Sequence, residues 1–225
     1  MDNILLIETS TALCSVALAQ DGKITSYRES SAPKAHASLT AVFIQEMLAE
    51  HGLTLADCDA ICVSKGPGSY TGLRVGVSTA KGLCFGSGKP LLAVGTLDTL
   101  VAQADEIGGI KYIIPMIDAR RMEVYTAVFE NGVQITETSP MIIDETSFAE
   151  YLEQGPCLFI GDGAGKCADV IKHPNAQFCQ CWPKASAMLK PAMAAYKEKR
   201  FEDVAYFEPF YLKEFVATVS RKKLW

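Results

Sequence analysis

Three short stretches of this 225-residue chain carry residue types that could do chemistry. The turn Glu8-Thr9-Ser10-Thr11 sets a carboxylate and three hydroxyls at the end of an apolar run. In a phosphate-handling hairpin of the form D-x-G-T, the acid holds a metal-bound water and the glycine lets phosphate approach the backbone. Here the glycine is missing, so a phosphate would have to pass the Ser10 side chain, and Thr9 and Ser10 are the candidate nucleotide contacts. The turn Gly161-Asp162-Gly163-Ala164-Gly165-Lys166 follows a strand-like run and could aim its amides at an anion, with Gly161 and Gly163 nearest. It fits neither phosphate-loop rule, because Cys167 stands where a P-loop needs Ser or Thr and Lys166 where the last dinucleotide glycine would be. A tight strand-to-helix turn explains the same residues.

The third stretch, Ser64 to Gly76, reads SKGPGSYTGLRVG. Gly66-Pro67-Gly68 is a turn by composition, and a helix can start at Thr71. In that helix Gly72, Gly76 and Ala80 recur every fourth residue and line one face. Each internal glycine costs about 0.5 to 1 kcal/mol relative to alanine, so the pair needs compensation. A phosphate site would use only the first amides and leave Gly76 and Ala80 unexplained. Close approach of a second backbone explains all three, and the expectation is a packing face.

Metal and nucleophile chemistry find little support. The histidines are His36, His51 and His173, and Thr40 occupies the place where a helical metal pair with His36 would need its second histidine. No Ser-His-Asp or Cys-His set can be assembled from spacing. The eight cysteines sit mostly in apolar runs such as AICVS and GLCFG, without a CxxC pair, and read as free structural thiols of a reducing compartment. Asp118-Ala119-Arg120-Arg121-Met122-Glu123 reads as a charged hairpin turn with surface ion pairing.

The elements that must position these stretches form a duplicated plan. ILLIE and CSVALAQ read as strands, with Asp21-Gly22 turning into KITSYRES. A helix over residues 35–51 ends at Gly52, followed by a strand at 59–64, the glycine stretch, a helix to about Phe85, the strand PLLAV and a helix from Thr96. The second half runs YIIPMID, EVYTAVFE, an Asn131-Gly132 hairpin, VQITET, a helix SFAEYLEQ, CLFIG, the GDGAGK turn with a helix, AQFCQ and a helix SAMLKPAMAAYKE. Both halves share the order βββαβα, which points to an α/β protein of two similar lobes, residues 1–108 and 109–225. That is the arrangement of the actin, hexokinase and Hsp70 superfamily, the ribonuclease H-like ASKHA fold.

With 49% hydrophobic residues the chain can build its own core, and its N-terminal apolar run is too short for a signal peptide or a span, so a cytoplasmic protein is expected. A net charge of −5 gives no global field for nucleic acid, although the terminal SRKKLW could touch tRNA or a partner. The first-lobe helix after His36 carries Leu39, Val42, Phe43 and Met47 with Ala41, Ile44 and Leu48 beside them, an apolar arc wider than one sheet contact demands. Part of that arc is expected to meet another chain.

ILLIETSTALCSVAL, SKGPGSYTGLRVGVSTAKGL, PLLAVGTLDTL, IDARRMEVYTAVF and GDGA resemble the TsaB (YeaZ) family, a bacterial subunit of the machinery that makes threonylcarbamoyladenosine on tRNA. The resemblance implies a two-lobed actin-like fold without catalysis of its own, serving as scaffold for the paralogue TsaD, with the ATPase TsaE joining. It implies no bound cofactor beyond a nucleotide at a complex interface, no metal, and tRNA contact only through the complex. The family pairs through its two first-lobe helices as a homodimer or as a heterodimer with the paralogue. That assigns to the interface His36, Leu39 and Phe43 on the first helix, and Tyr70, Gly72, Leu73, Arg74, Gly76, Val77 and Ala80 on the second. An actin-like phosphotransferase would need more than Glu8, and a metallopeptidase would need the missing second histidine.

Overall fold

The structure, a computed structural model, describes residues 2–104 and 107–213; the basic SRKKLW lies outside the described residues. The chain opens with a meander of β1 (Asn3–Glu8), β2 (Cys14–Gln20) and β3 (Lys23–Ser30). Asp21 and Gly22 take the two positive φ values, 49° and 73°, that let a two-residue turn follow the strand twist. Then come α1 (Ala35–Glu50), β4 (Ala60–Gly66), α2 (Tyr70–Ser87), β5 (Leu91–Gly95) and α3 (Thr96–Gln103). The first sheet has the order β3-β2-β1-β4-β5, with β1, β4 and β5 parallel.

The second half repeats that order. Its strands are β6 (Tyr112–Asp118), β7 (Glu123–Thr126), β8 (Phe129–Glu130), β9 (Val133–Gln134), β10 (Ser139–Ile142), β11 (Cys157–Gly161) and β12 (Ala176–Gln180). They form the path β10-β7-β6-β11-β12, with β8 and β9 attached beside β6. The helices are α4 (Ala149–Leu152) and α5 (Ala164–Cys167), one turn each, and α6 (Leu189–Lys197). The expected strand EVYTAVFE is broken at Ala127-Val128, where the Thr136 hydroxyl accepts the Val128 amide at 2.8 Å and interrupts the ladder. Pro191 sits in the first turn of α6, where a missing amide leaves no helical bond unmade.

Both faces of the first sheet are buried, which is why β1 reads as an unbroken apolar run. Leu5, Ile7, Val16, Leu18, Ile61 and Val63 face α1 and α2. Ile4, Leu6, Ala17, Cys62 and Val94 face the other way, against Ala185, Met188, Ala192 and Ala195. The helical stretch 185–197, assigned by the sequence to the second lobe, thus covers the first sheet. In exchange α3 packs Leu97, Leu100 and Val101 on Ile117, Phe129, Leu158 and Ile160 of the second sheet. The division at 108/109 separates the sheets and does not separate the helices that cover them: each half lacks a second apolar layer, and the other half supplies it. All eight cysteines are free and six are buried. Among the described residues, no helix is long and apolar enough to cross a membrane.

Candidate functional site

The glycine stretch and the first hairpin are locked together. Ser69 caps α2, accepting the Gly72 amide at 3.3 Å, and its own amide donates to Ser10 O at 2.6 Å. A Cβ on Gly72 would lie 2.0 Å from Thr9 O, and one on Gly76 2.2 Å from Thr9 Oγ1. Thr9 Oγ1 donates to Gly72 O at 2.8 Å. The second backbone that these glycines admit therefore belongs to the same chain. Gly72, Leu73, Gly76, Val77 and Ala80 are buried inside their own subunit, and their assignment to a partner interface is corrected. The physical reason is that an i, i+4 glycine pair reports close approach and carries no information on whose backbone approaches.

The outward face of α2 carries a second such pair. Thr71, Arg74, Ser78, Gly82, Phe85 and Gly86 are exposed, and no atom lies within 4 Å of a Cβ built on Gly82 or Gly86. Gly82 follows Gly76 by six residues, a rotation that sets it roughly 120° around the helix. Phe85, 87% exposed, stands between the two glycines. The sequence reading missed these residues because Phe85 sits in the run GLCFG, whose Cys84 is buried, so the run looks like core. The neighbouring glycine pair was the signal that could have found them. On α1, Ala41 and Val42 are exposed while Ile44, Met47 and Leu48 are buried; Leu39 and Phe43 are half-buried, with Phe43 packed against the core. The wide apolar arc is thus divided between the sheet and the surface. His36 is half-buried, its Nε2 2.8 Å from Thr11 O. Tyr70 packs on Tyr211 at 5.0 Å between ring centroids, with Arg74 4.4 Å from its ring centre.

The hairpin encloses a carboxyl. Glu8 is wholly buried; its Oε1 accepts the Ser10 amide at 2.6 Å and the Ser64 hydroxyl at 2.9 Å, and its Oε2 has no hydrogen-bond partner. Burial pushes the carboxyl up to about 7, with hydrogen bonds from Ser10 and Ser64 acting in the other direction. The Thr9 amide lies 3.4 Å from Ser64 Oγ. The Thr9 amide and hydroxyl and the Ser10 amide thus meet acceptors of the same lobe, while the buried Ser10 hydroxyl has no partner among the described residues.

Above the hairpin, a cleft cavity of about 640 Å³ opens between the lobes, with Ser10, His36, Tyr70, Asp118, Tyr125 and Asp162 among its walls. The GDGAGK turn contributes Asp162, whose Oδ1 accepts the Asp118 amide at 2.9 Å and whose carboxyl burial pushes up to about 6. Its glycines serve contact between strands. A Cβ on Gly161 would lie 2.2 Å from Met116 O, and the Gly163 amide donates to the same oxygen at 3.0 Å. The charged hairpin forms ion pairs as read, but through Asp118 with Lys166 and Glu123 with Lys213; Arg120 and Arg121 make the turn itself at φ 72° and 51°.

The family model described as TsaD, tRNA N6-adenosine threonylcarbamoyltransferase, matches residues 29–220. The tRNA threonylcarbamoyladenosine biosynthesis protein TsaB of Escherichia coli K12 is 32% identical over 222 residues, covering 95% of this chain and 96% of that protein. The Bacillus subtilis 168 protein of the same name is 30% identical, with 93% of each covered. The solved structure of YeaZ from Pseudomonas aeruginosa superposes with a TM-score of 0.81 at 28% identity, covering 94% of this chain and all of that one. A glucomannokinase from Arthrobacter, at 9% identity and a TM-score of 0.50 over 88% of this chain, shares the two-lobed actin-like fold alone.

Proposed function

Because this chain belongs to the TsaB (YeaZ) family, we propose that it is a non-catalytic scaffold subunit of the tRNA threonylcarbamoyladenosine machinery, pairing through α1 and α2 with a catalytic TsaD-type paralogue. The ATPase TsaE joins that pair, tRNA is reached only through the complex, and the isolated chain forms a homodimer through the same helices. The observation that carries the reading is the outward face of α2, where Phe85 stands clear of its own subunit between two glycines with open Cβ positions. A phenylalanine left 87% in water has no value to the monomer, and internal glycines weaken the helix. Both become favourable when a second helix lies close, because the glycines admit it and the ring is buried against it.

The non-catalytic part rests on the hairpin. Glu8 is held beneath the surface by Ser10 and Ser64, away from any phosphate or metal that entered the cleft, and Thr40, which donates to His36 O at 2.6 Å, fills the place of a second helical histidine. A nucleotide, if one is used, is assigned to the interface with the partner rather than to Thr9, Ser10, Gly161 or Gly163.

The test is titration of a TsaD-type paralogue with wild type and Phe85→Ala, following complex size by light scattering. Burying a phenylalanine is worth about 1.5 to 3 kcal/mol, which predicts an affinity loss of roughly ten- to hundredfold with unchanged monomer stability. Unaltered pairing by Phe85→Ala would remove the reading, and ATP hydrolysis by the purified chain alone would argue for an enzyme.

A further inference from the structure

The hairpin between β6 and β7 turns on Arg120 and Arg121, both at positive φ. Elsewhere in the chain Asp21-Gly22 and Asn131-Gly132 take that conformation, which suits them and suits arginine poorly. The tip is braced all the same. Lys166 pairs with Asp118 and donates to Arg121 O and Glu123 O at 2.7 Å each. A fixed turn thus displays two arginines, both exposed, and neither has a carboxylate partner among the described residues. The acids beside them are answered by other groups. Asp118 is held by Lys166 and Glu123 by Lys213, while burial pushes the Asp162 carboxyl up to about 6 and its Oδ1 accepts the Asp118 amide at 2.9 Å.

Aromatic rings share the cleft with this turn. Tyr70, Phe210 and Tyr211 line the same cavity of about 640 Å³ as Arg120, and Phe210 and Tyr211 are exposed. Tyr211 lies 5.0 Å from Tyr70 between ring centroids, and Arg74 lies over the Tyr70 ring at 4.4 Å. The Phe210 amide donates to Lys65 O at 2.7 Å, which fixes the strap that carries the two outer rings. Open rings beside arginines without carboxylate partners suit unpaired nucleotides: rings stack on bases of any sequence, and guanidinium groups hold phosphates. An acidic protein segment would use the arginines and leave the rings idle. Duplex RNA would supply phosphates without a free base face.

We infer that the rim of the cleft, from Arg120 and Arg121 to Phe210 and Tyr211, binds an unpaired stretch of RNA. The inference rests on the proposed place of this chain in a tRNA-modifying complex, and it gives the chain a direct contact there. A net charge of −5 supplies no long-range attraction, so the rim adds affinity for an RNA that the complex as a whole holds.

The test is binding of an unmodified tRNA to the complex with a TsaD-type paralogue, followed by fluorescence anisotropy over a range of salt, with complex size read by light scattering on the same samples. Arg120→Asn combined with Arg121→Gly removes both guanidinium groups and keeps a favourable turn. It should weaken binding roughly tenfold or more and make the log-log salt dependence shallower by about two. Tyr211→Ala should cost roughly five- to hundredfold and Tyr211→Phe little, whereas a blunt RNA duplex should be indifferent to either. Wild-type affinity and salt slope in the arginine variant, at unchanged complex size, would overturn the proposal. Rim variants that lose pairing would make the rim a protein contact, and an equal effect of Tyr211→Ala on the duplex would remove base stacking; either would overturn it too. Phe85→Ala keeps the two readings apart, because it should weaken pairing and, at saturating paralogue, leave RNA affinity unchanged. Unaltered pairing in that variant would count against the pairing face alone.

Discussion

The two sheets are wound in the same order, yet the helices between their strands are not alike. Between β3 and β4 the first lobe carries the 16-residue α1, and after β4 the 18-residue α2. At the matching places the second lobe has α4 and α5, four residues each. Four residues are enough to turn the chain and cover a strand end; eighteen give a helix with one face for its sheet and another for the outside. The first strands of the two lobes diverge similarly. β1 ends on Glu8, sealed under its hairpin, whereas β6 ends on Asp118, at the surface and paired with Lys166. The second lobe resembles a duplicate reduced to its sheet. In the first, added helix and burial fasten the hairpin and leave a surface to spare.

The sharpest way to break this comparison is at the fastening. Gly72→Ala drives a methyl to 2.0 Å from the backbone oxygen of Thr9, a buried residue directly after β1 that is no flexible side-chain end. A loss of about 3 kcal/mol or more in urea unfolding is expected, at the upper end of overpacking effects. Gly76→Leu should likewise destabilise the folded chain before pairing can be measured. Near-native stability of Gly72→Ala would show that the hairpin and α2 are loosely joined.

Next is the buried carboxyl. An acid whose pKa rises from about 4.5 unfolded to about 7 folded binds its proton more tightly in the folded state. Its contribution to stability is therefore complete below pH 4.5 and declines as pH rises to 7, by about 3 kcal/mol for a shift of that size. Glu8→Gln should flatten this part of the stability-pH curve, measured by urea unfolding from pH 4 to 8. An unchanged slope would mean that Glu8 is ionised at little cost and that the hairpin is wetter than its burial implies.

A smaller effect, of opposite sign, is expected on the outer face. Gly82→Ala meets no neighbour within 4 Å and replaces a helical glycine, so the monomer should gain about 0.5 to 1 kcal/mol while its pairing weakens. A gain in monomer stability with unaltered pairing would move the interface elsewhere. The smallest belongs to the second lobe: Asp118→Asn removes a surface ion pair and should change unfolding by less than about 1 kcal/mol. A larger loss would place Asp118 on a par with Glu8 and erase the distinction between the lobes.

Much of the fold was legible in the residues. Asp21-Gly22 and Asn131-Gly132 named their turns, and each takes the positive φ values such turns need. The helix read over 35–51 is α1 at 35–50, and the duplicated order reappears in the two sheets. The candidate site was legible only by segment. Of the residues named on α2, Tyr70 and Arg74 reach the surface or its border, while Gly72, Leu73, Gly76, Val77 and Ala80 do not. Lys213 and Tyr125 met in the cleft without any local signal, being far apart in sequence.

By itself the sequence determined which segments are strands and helices, that the plan is repeated, and that α2 must lie close to another backbone. Those follow from side-chain periodicity and from the conformations that glycine and proline allow, which act over a few residues. Only the tertiary structure decided that this backbone is the chain's own hairpin at Thr9, that Phe85 faces outward, and that each half lends a helix to the other's sheet. A helix shows the same 3.6-residue pattern whichever of its faces is covered, and what covers it comes from residues too distant in the chain for local spacing to report.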